Sequence, residues 1–358
     1  MATPASLVNT TIRQYAREQE VNVWRDYKTF AMLKSKGRVT YNHSGISYTK
    51  RVRYRRNALR GMLLGDTLTF PNVDRWKTLN LDWRGYAMGE SLTKMEQLQN
   101  KGKEAIINIV ESKAEVMMED AKESLSEEVY VDGNAAANVS RFHGVESFGS
   151  YSGVTRPYVA NPNDTYCDLT CALLSNGGSI SGTWPLGGTF SPEADFWTPV
   201  IVDVTNPSWA ATTKTWINVC LEALSFGIMA TQMSKAKTGQ LDTIILNNLM
   251  YKEAKDRLHE KQGLWAESNT SNSDLVKLGF KDVFIYDGVD VTTEYGVPSA
   301  TGYGFNWDMA RLMSLQGQLF DVDAKDYDIA GRAWRWALDC FGNFLWNPRS
   351  FLFFKSAT

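Results

Sequence analysis

The stretch Thr93–Val129, TKMEQLQNKGKEAIINIVESKAEVMMEDAKESLSEEV, sets the reading of the whole chain. Thr93 followed by Glu96 is a capping box, in which hydroxyl and carboxylate satisfy backbone donors that a first helical turn leaves orphaned. Met95, Leu98, Ala105, Ile106, Ile109, Val110, Met117, Ala121 and Leu125 then recur at three- and four-residue steps. That spacing predicts one amphipathic helix over 93–129, roughly 50 Å long at 1.5 Å per residue, with Gly102 as its weak point. A second series, Glu111, Glu115, Glu119, Glu123 and Glu127, stacks like charges at four-residue spacing. Each neighbouring pair costs a few tenths of a kcal/mol in isolation. Two readings of this row stay open: a solvated helix face, or an edge that meets something basic.

A basic counterpart lies earlier in the chain. Residues 1–60 hold thirteen Lys and Arg against three carboxylates, whereas residues 90–130 hold ten carboxylates against five lysines. The net charge of -2 therefore conceals two complementary regions, and self-association is a natural expectation. At 358 residues, 43% hydrophobic and 22% charged, the chain is long enough for a large core and more than one domain. Four cysteines, Cys167, Cys171, Cys220 and Cys340, without a recognisable signal peptide, point to reduced thiols in a cytoplasmic setting. The longest apolar run, Ile217 to Ala230, contains Glu222 and is too short to span a bilayer.

From the N-terminus, residues 1–37 read as a basic, partly helical arm outside the core. Ile46 to Arg56, ISYTKRVRYRR, alternates so that Arg51, Arg53 and Arg55 share one face, with Lys50, Val52, Tyr54 and Arg56 on the other. Neither face is apolar, so this strand is expected in a projecting ribbon that packs on something beyond its own domain. Thr67 to Trp83 is the return leg, with Pro71 interrupting it. Beyond the long helix, residues 161–198 read as loop with short strands. A second helix is expected over Thr213–Lys235, a short strand at Thr243–Leu246, and a third helix capped by Asn248. Asp287-Gly288 predicts a two-residue type I′ hairpin between Val283–Tyr286 and Val289–Thr292. Gly342-Asn343 suggests the same construction between Ala333–Phe341 and Phe344–Trp346, in an aromatic C-terminal sheet that covers the long helix.

Motifs for catalysis are weak. No glycine-rich loop ends in Gly-Lys-Ser/Thr, and Gly302-Tyr303-Gly304 reads as a turn, not as a dinucleotide fingerprint. His43, His143 and His259 lack metal-ligand spacing, Cys167 and Cys171 lack a second pair, and His259 suits a helix C-terminus. Tyr151 stands where a nucleophile elbow requires serine, and Asp321 to Asp328 reads as a solvated acidic loop without the glycine and closing Glu of a calcium site. No catalytic, cofactor-binding or metal residue is assigned, and no cofactor is expected. The strand Lys50–Arg56, with Tyr48 and Tyr54 interleaved, is the one feature with nucleic-acid chemistry, since phosphates attract arginine and bases stack on aromatics. The glutamate row offers the same arginines a protein partner.

In arrangement, the ribbon TKRVRYRR, the helix ending in EEVYVDGN, and the segments FHGVESFGSYSG, DTIILNNLMYKEAKDRL, LGFKDVFIYDGVDV, GYGFNWDMARL and ALDCFGNFLWNPRSFLF resemble the major capsid proteins of tailed bacteriophages, the HK97-like family. The resemblance covers most of the chain and is least at residues 154–210. It implies an α+β fold: an N-terminal arm at 1–37, an extended E-loop hairpin at 38–92, and a P domain with the spine helix and β-strands at 93–153 and 329–358. A mixed α/β axial (A) domain would occupy 154–328, with an insertion near 154–210. It further implies a structural, non-enzymatic protein that self-assembles as hexamers and pentamers into an icosahedral head around double-stranded DNA. Such a protein resides in the virion after assembly in the host cytoplasm, with scaffold, portal and decoration proteins as further partners and no membrane. The subunit-interface residues expected on this basis are Lys50, Arg51, Arg53, Arg55 and Arg56 of the ribbon and Glu111, Glu115, Glu119 and Glu123 of a neighbour's spine. The alternative is a cytoplasmic nucleic-acid-binding protein using the Lys50–Arg56 strand.

Overall fold

A computed structural model describes residues 27–55, 61–67, 70, 73–99, 103–156, 159–182, 188–189, 191–204, 215–235, 240–262 and 273–355. In chain order, α1 (Lys28–Ser35) leads into β1 (Val39–His43), β2 (Ser47–Arg53), β3 (Trp76–Asp82) and β4 (Arg84–Thr93). The spine follows as α2 (Lys94–Gln99) and α3 (Lys103–Glu128). Next come β5 (Tyr151–Arg156), β6 (Val159–Pro162), β7 (Thr165–Tyr166), β8 (Leu169–Thr170) and β9 (Val200–Asp203). The remainder runs through α4 (Trp216–Lys235), β10 (Thr243–Leu246), α5 (Asn248–Gln262), α6 (Asp274–Lys277), β11 (Val283–Tyr286), β12 (Val289–Thr293) and β13 (Thr301–Phe305). It ends with the long strands β14 (Ala310–Asp328) and β15 (Ala333–Trp346), then β16 (Leu352–Lys355).

Two sheets organise these elements. One has the order β1-β14-β15-β4, the other β11-β12-β10-β13-β16-β9. The spine lies on the first. Val110, Ala114, Met117 and Met118 of α3 are buried against Leu92 of β4 and Trp336 and Leu338 of β15, so the aromatic C-terminal strand covers the helix as its composition predicts. The capping box is present: the Thr93 N–H donates to Glu96 Oε2 at 2.8 Å, and the Glu96 N–H donates to Thr93 Oγ1 at 3.4 Å. The apolar stripe, however, begins later than its spacing suggests. Met95 and Leu98 are exposed, and Gly102 lies outside the described residues, between the two helical segments.

The second sheet separates two cores by the period-2 alternation of its strands. Ile244 and Leu246 of β10 and Leu352 and Phe354 of β16 face α4 and α5, where Trp216, Leu224 and Ala254 are buried. Ile245 of β10 and Phe353 of β16 face an aromatic core with Phe148, Phe305, Trp307 and Trp346. The hairpin at Asp287-Gly288 forms as read, with Tyr286 opposite Val289 and both turn residues at positive φ.

Several expectations are corrected. Gly342-Asn343 makes no turn: β15 runs straight through it, and Asn343 is buried, accepting from His143 N–H at 2.8 Å and donating to the Asp82 carbonyl at 2.8 Å. Gly302-Tyr303-Gly304 is strand β13, where a Cβ on Gly304 would sit 2.9 Å from Leu352 Cβ; the glycines let side chains cross the sheet. Asp321–Asp328 is the extended end of β14 paired with β15, not a loop. The helix after β10 is capped one residue earlier than predicted, Asn247 Oδ1 accepting from Leu249 N–H at 3.1 Å. Residues 28–35, read as part of an arm, place Phe30, Met32 and Leu33 in the aromatic core; residues 1–26 lie outside the described residues. Residues 310–328 pair with 333–346 beside the spine, and Leu352–Lys355 joins the six-stranded sheet.

Candidate assembly surface

The basic ribbon is a two-stranded antiparallel hairpin, β2 with β3, in which Lys50 faces Leu79, Arg51 faces Thr78 and Arg53 faces Trp76. Its base is held by its own chain. Leu79 and Leu81 of β3 are buried, and Tyr48, Val52 and Tyr54 pack half-buried on the aromatic core. Lys77 Nζ lies over the Tyr54 ring at 5.3 Å and donates to Asn176 Oδ1. This corrects the expectation that the ribbon packs only on something else: β3 supplies the leucines that β2 lacks. Lys50, Arg51, Arg53 and Arg55 are left exposed. Arg56 lies outside the described residues.

Beyond β2 the ribbon ends in an apolar turn. Asp66 closes it, its carboxylate accepting from the Leu63 N–H and its own N–H donating to the Leu63 carbonyl, both at 3.1 Å. Gly65 takes the positive φ of 100° that this reversal requires. The closure leaves Leu63 82% and Leu64 108% exposed, with Met62, Phe70 and Trp76 also exposed on the ribbon. An exposed apolar cluster of this kind marks an interaction site. The sequence reading missed it, although three consecutive apolar residues between Gly61 and Gly65, inside an otherwise basic and polar ribbon, carry the signal.

On the spine, Glu115, Glu119 and Glu123 are exposed; Glu111 is helical, its side chain outside the described residues. Glu123 accepts from the Tyr295 hydroxyl at 2.8 Å, and this carboxylate pushes the Tyr295 pKa up to about 12. Among the described residues no ion pair or hydrogen bond joins the ribbon's cations to this row within the chain. Glu128 differs: it is buried and takes Arg141 at 2.5 Å and the Tyr86 hydroxyl. Burial first, then the bond to Glu128, raises the Tyr86 pKa. These groups tie the end of the spine to β4 and the segment after it.

Elsewhere the buried polar groups serve architecture. Glu294 accepts from Thr29 N–H at 2.9 Å and from the Tyr130 hydroxyl at 2.6 Å, fastening α1 to the end of the spine and to the loop after β12. All four cysteines are buried free thiols, and burial raises the Cys167 and Cys340 pKa values to about 12, away from nucleophilic use. Among the described residues no group of three His, Cys, Asp or Glu side chains could hold a metal ion, and no helix is long and apolar enough to cross a membrane.

No protein-family model matches the sequence, and no curated protein matches it either. The fold does find counterparts. The chain is similar to a chain of the cyanophage A-1(L) capsid asymmetric unit, with a TM-score of 0.58 at 12% identity over 91% of this chain and 92% of that one. A chain of the native GTA particle capsid gives a TM-score of 0.53 at 11% identity, covering 92% of this chain and 90% of that one. A chain of the empty GTA particle capsid gives 0.50 at 11% identity, covering 91% and 96%. The chain has the α+β, HK97-like capsid fold.

Proposed function

We propose that this chain is the major capsid protein of a tailed-phage-type particle, a structural subunit that self-assembles as hexamers and pentamers into an icosahedral shell around a double-stranded DNA genome. The observation that carries this reading is the ribbon: a hairpin locked at its base to its own subunit, yet holding Leu63 and Leu64 almost fully in solvent. A monomer gains nothing from that arrangement; a shell does. The same ribbon presents Lys50, Arg51, Arg53 and Arg55 to the acidic edge of a neighbour's spine, Glu115, Glu119 and Glu123. The spine with the four-stranded sheet forms the peripheral part of the subunit, and the six-stranded sheet with α4 and α5 the axial part. The protein acts without catalysis, is built into the virion from the host cytoplasm, and meets scaffold, portal and decoration proteins there.

Magnitudes rank the two contributions. An exposed ion pair is worth about 0–1 kcal/mol, whereas burying one leucine side chain contributes about 1.5–3 kcal/mol. The apolar tip therefore supplies most of the affinity at each boundary, and the charges supply register and orientation. Repetition around a closed shell multiplies both. Reversing Arg51, Arg53 and Arg55 to Glu tests the reading: the variant folds as the parent does but no longer closes shells of uniform size in sedimentation. Unchanged shells would remove the ribbon's charge from the account.

A further inference from the structure

A groove of about 230 Å³ runs between the base of the ribbon and the start of β14. Two cross-strand pairs wall it. Lys50 with Leu79 comes from the ribbon, and Arg311 with Leu345 from the four-stranded sheet. Residues opposite each other in an antiparallel ladder share a face, so both cations stand on the side where Leu79 and Leu345 are buried. Trp197 and Trp346 complete the apolar wall, their indole N–H groups donating to the Tyr166 and His143 carbonyls at 3.1 and 2.8 Å.

The polar groups left over in this groove are donors. The carboxylate that borders it, Asp308, is paired with Arg38 at 2.6 Å. Among the described residues Lys50 and Arg311 make no ion pair or side-chain hydrogen bond, and the Asn347 amide donates only to Met309 Sδ, a weak acceptor, at 3.8 Å. Arg311 is half-buried, and a cation drawn out of water without a counter-charge carries a cost that a bound anion removes. Its guanidinium is a planar fork matched to two phosphate oxygens, with Lys50 as a point charge across the groove. Both tryptophans are buried and offer no ring face to a base, so the groove reads phosphate and not sequence. We infer that the groove between Lys50 and Arg311 is a phosphate-binding site, filled by a nucleic-acid backbone phosphate or by a free polyphosphate. The site lies within one subunit and needs no neighbour.

Calorimetric titration of the purified chain with tripolyphosphate tests it. One site per chain is expected, weakened about tenfold or more in Arg311→Gln, which removes a charge-assisted hydrogen bond. Arg311→Lys, which keeps the charge and loses the fork, should recover part of the affinity. A fluorescein-labelled DNA duplex separates the two sources. If nucleic acid fills the site, tripolyphosphate displaces the duplex, and Arg311→Gln flattens the log–log salt dependence of duplex binding by about 0.9. If a free polyphosphate fills it, duplex binding is indifferent to the substitution while tripolyphosphate binding is not. Either result supports the site. Lys50→Met, altered at an exposed position, carries the same comparison should Arg311→Gln fail to fold. Equal tripolyphosphate affinity in parent and variants overturns the proposal, as does a parent that binds neither probe. So does tighter binding of a poly-glutamate peptide than of tripolyphosphate, which would make the groove a seat for an acidic protein segment. Affinity per chain is read whether or not shells have closed, so failure here leaves the assembly reading standing.

Discussion

Gly342 lies so near Met313 on the neighbouring strand that a Cβ at 342 would run into the Met313 carbonyl oxygen. The residue is glycine because two long strands approach there, beside the buried Asn343 amide that ties β15 to Asp82 and His143. Overpacking of this kind costs about 1–3 kcal/mol. Gly342→Ala should lower the unfolding free energy by that amount in denaturant titration. Gly61→Ala, where a Cβ meets nothing within 4 Å, should be nearly neutral.

His143 makes stability depend on pH. Burial, then the Arg84 charge, holds its pKa down to about 4, against an ordinary value of 6.5. The folded state keeps the ring neutral while the unfolded chain binds a proton, so stability is complete above about pH 6.5 and declines as pH falls toward 4. A shift of that size is worth about 3 kcal/mol. Unfolding free energies measured from pH 7 to 4 should fall in the parent, and His143→Gln should flatten that window.

The spine's start is anchored by Thr93 and Glu96, with Lys113 reaching back to Glu96 at 3.0 Å. Thr93 N–H first, then Lys113, lowers the Glu96 pKa, so this anchoring is present above the ordinary carboxylate range and is lost as pH falls through the lowered folded value. Thr93→Ala should cost about 0.5–2 kcal/mol of stability, read as a lowered thermal midpoint.

If ribbon and spine pair in register, charge can be exchanged between them. Protein carrying Glu at 51, 53 and 55 should recover assembly when Glu115, Glu119 and Glu123 are changed to Arg in the same chain. Sedimentation of the single and combined variants checks this. Raising salt should weaken the parent and the recovered variant alike, since pairs at the rim are screened over about 10 Å at 0.1 M.

Where local chemistry decided the conformation, the sequence was a sufficient guide. Asp287-Gly288 needs two positive φ values, Thr93 and Glu96 satisfy each other's backbone donors, and the apolar side of α3 has the period of a helix. The failures share a cause. Gly302, Gly304 and Gly342 were read as turn formers, yet here glycine answers to a side chain or carbonyl from a distant strand, which no local window displays. The carboxylates of Asp321–Asp328 suggested a loop because their pairing partner, β15, follows them in the chain. At the ribbon the alternating arginines drew attention to charge. The exposure of the shorter Met62-Leu63-Leu64 run is a property of the folded ribbon that no local window displays.

Negative-stain electron microscopy of the purified protein should show closed particles of uniform size, or rings of five and six subunits where closure is incomplete. A monodisperse monomer that forms neither, and that binds DNA with an affinity falling steeply as salt is raised, would contradict the account and favour the nucleic-acid reading of the same arginines.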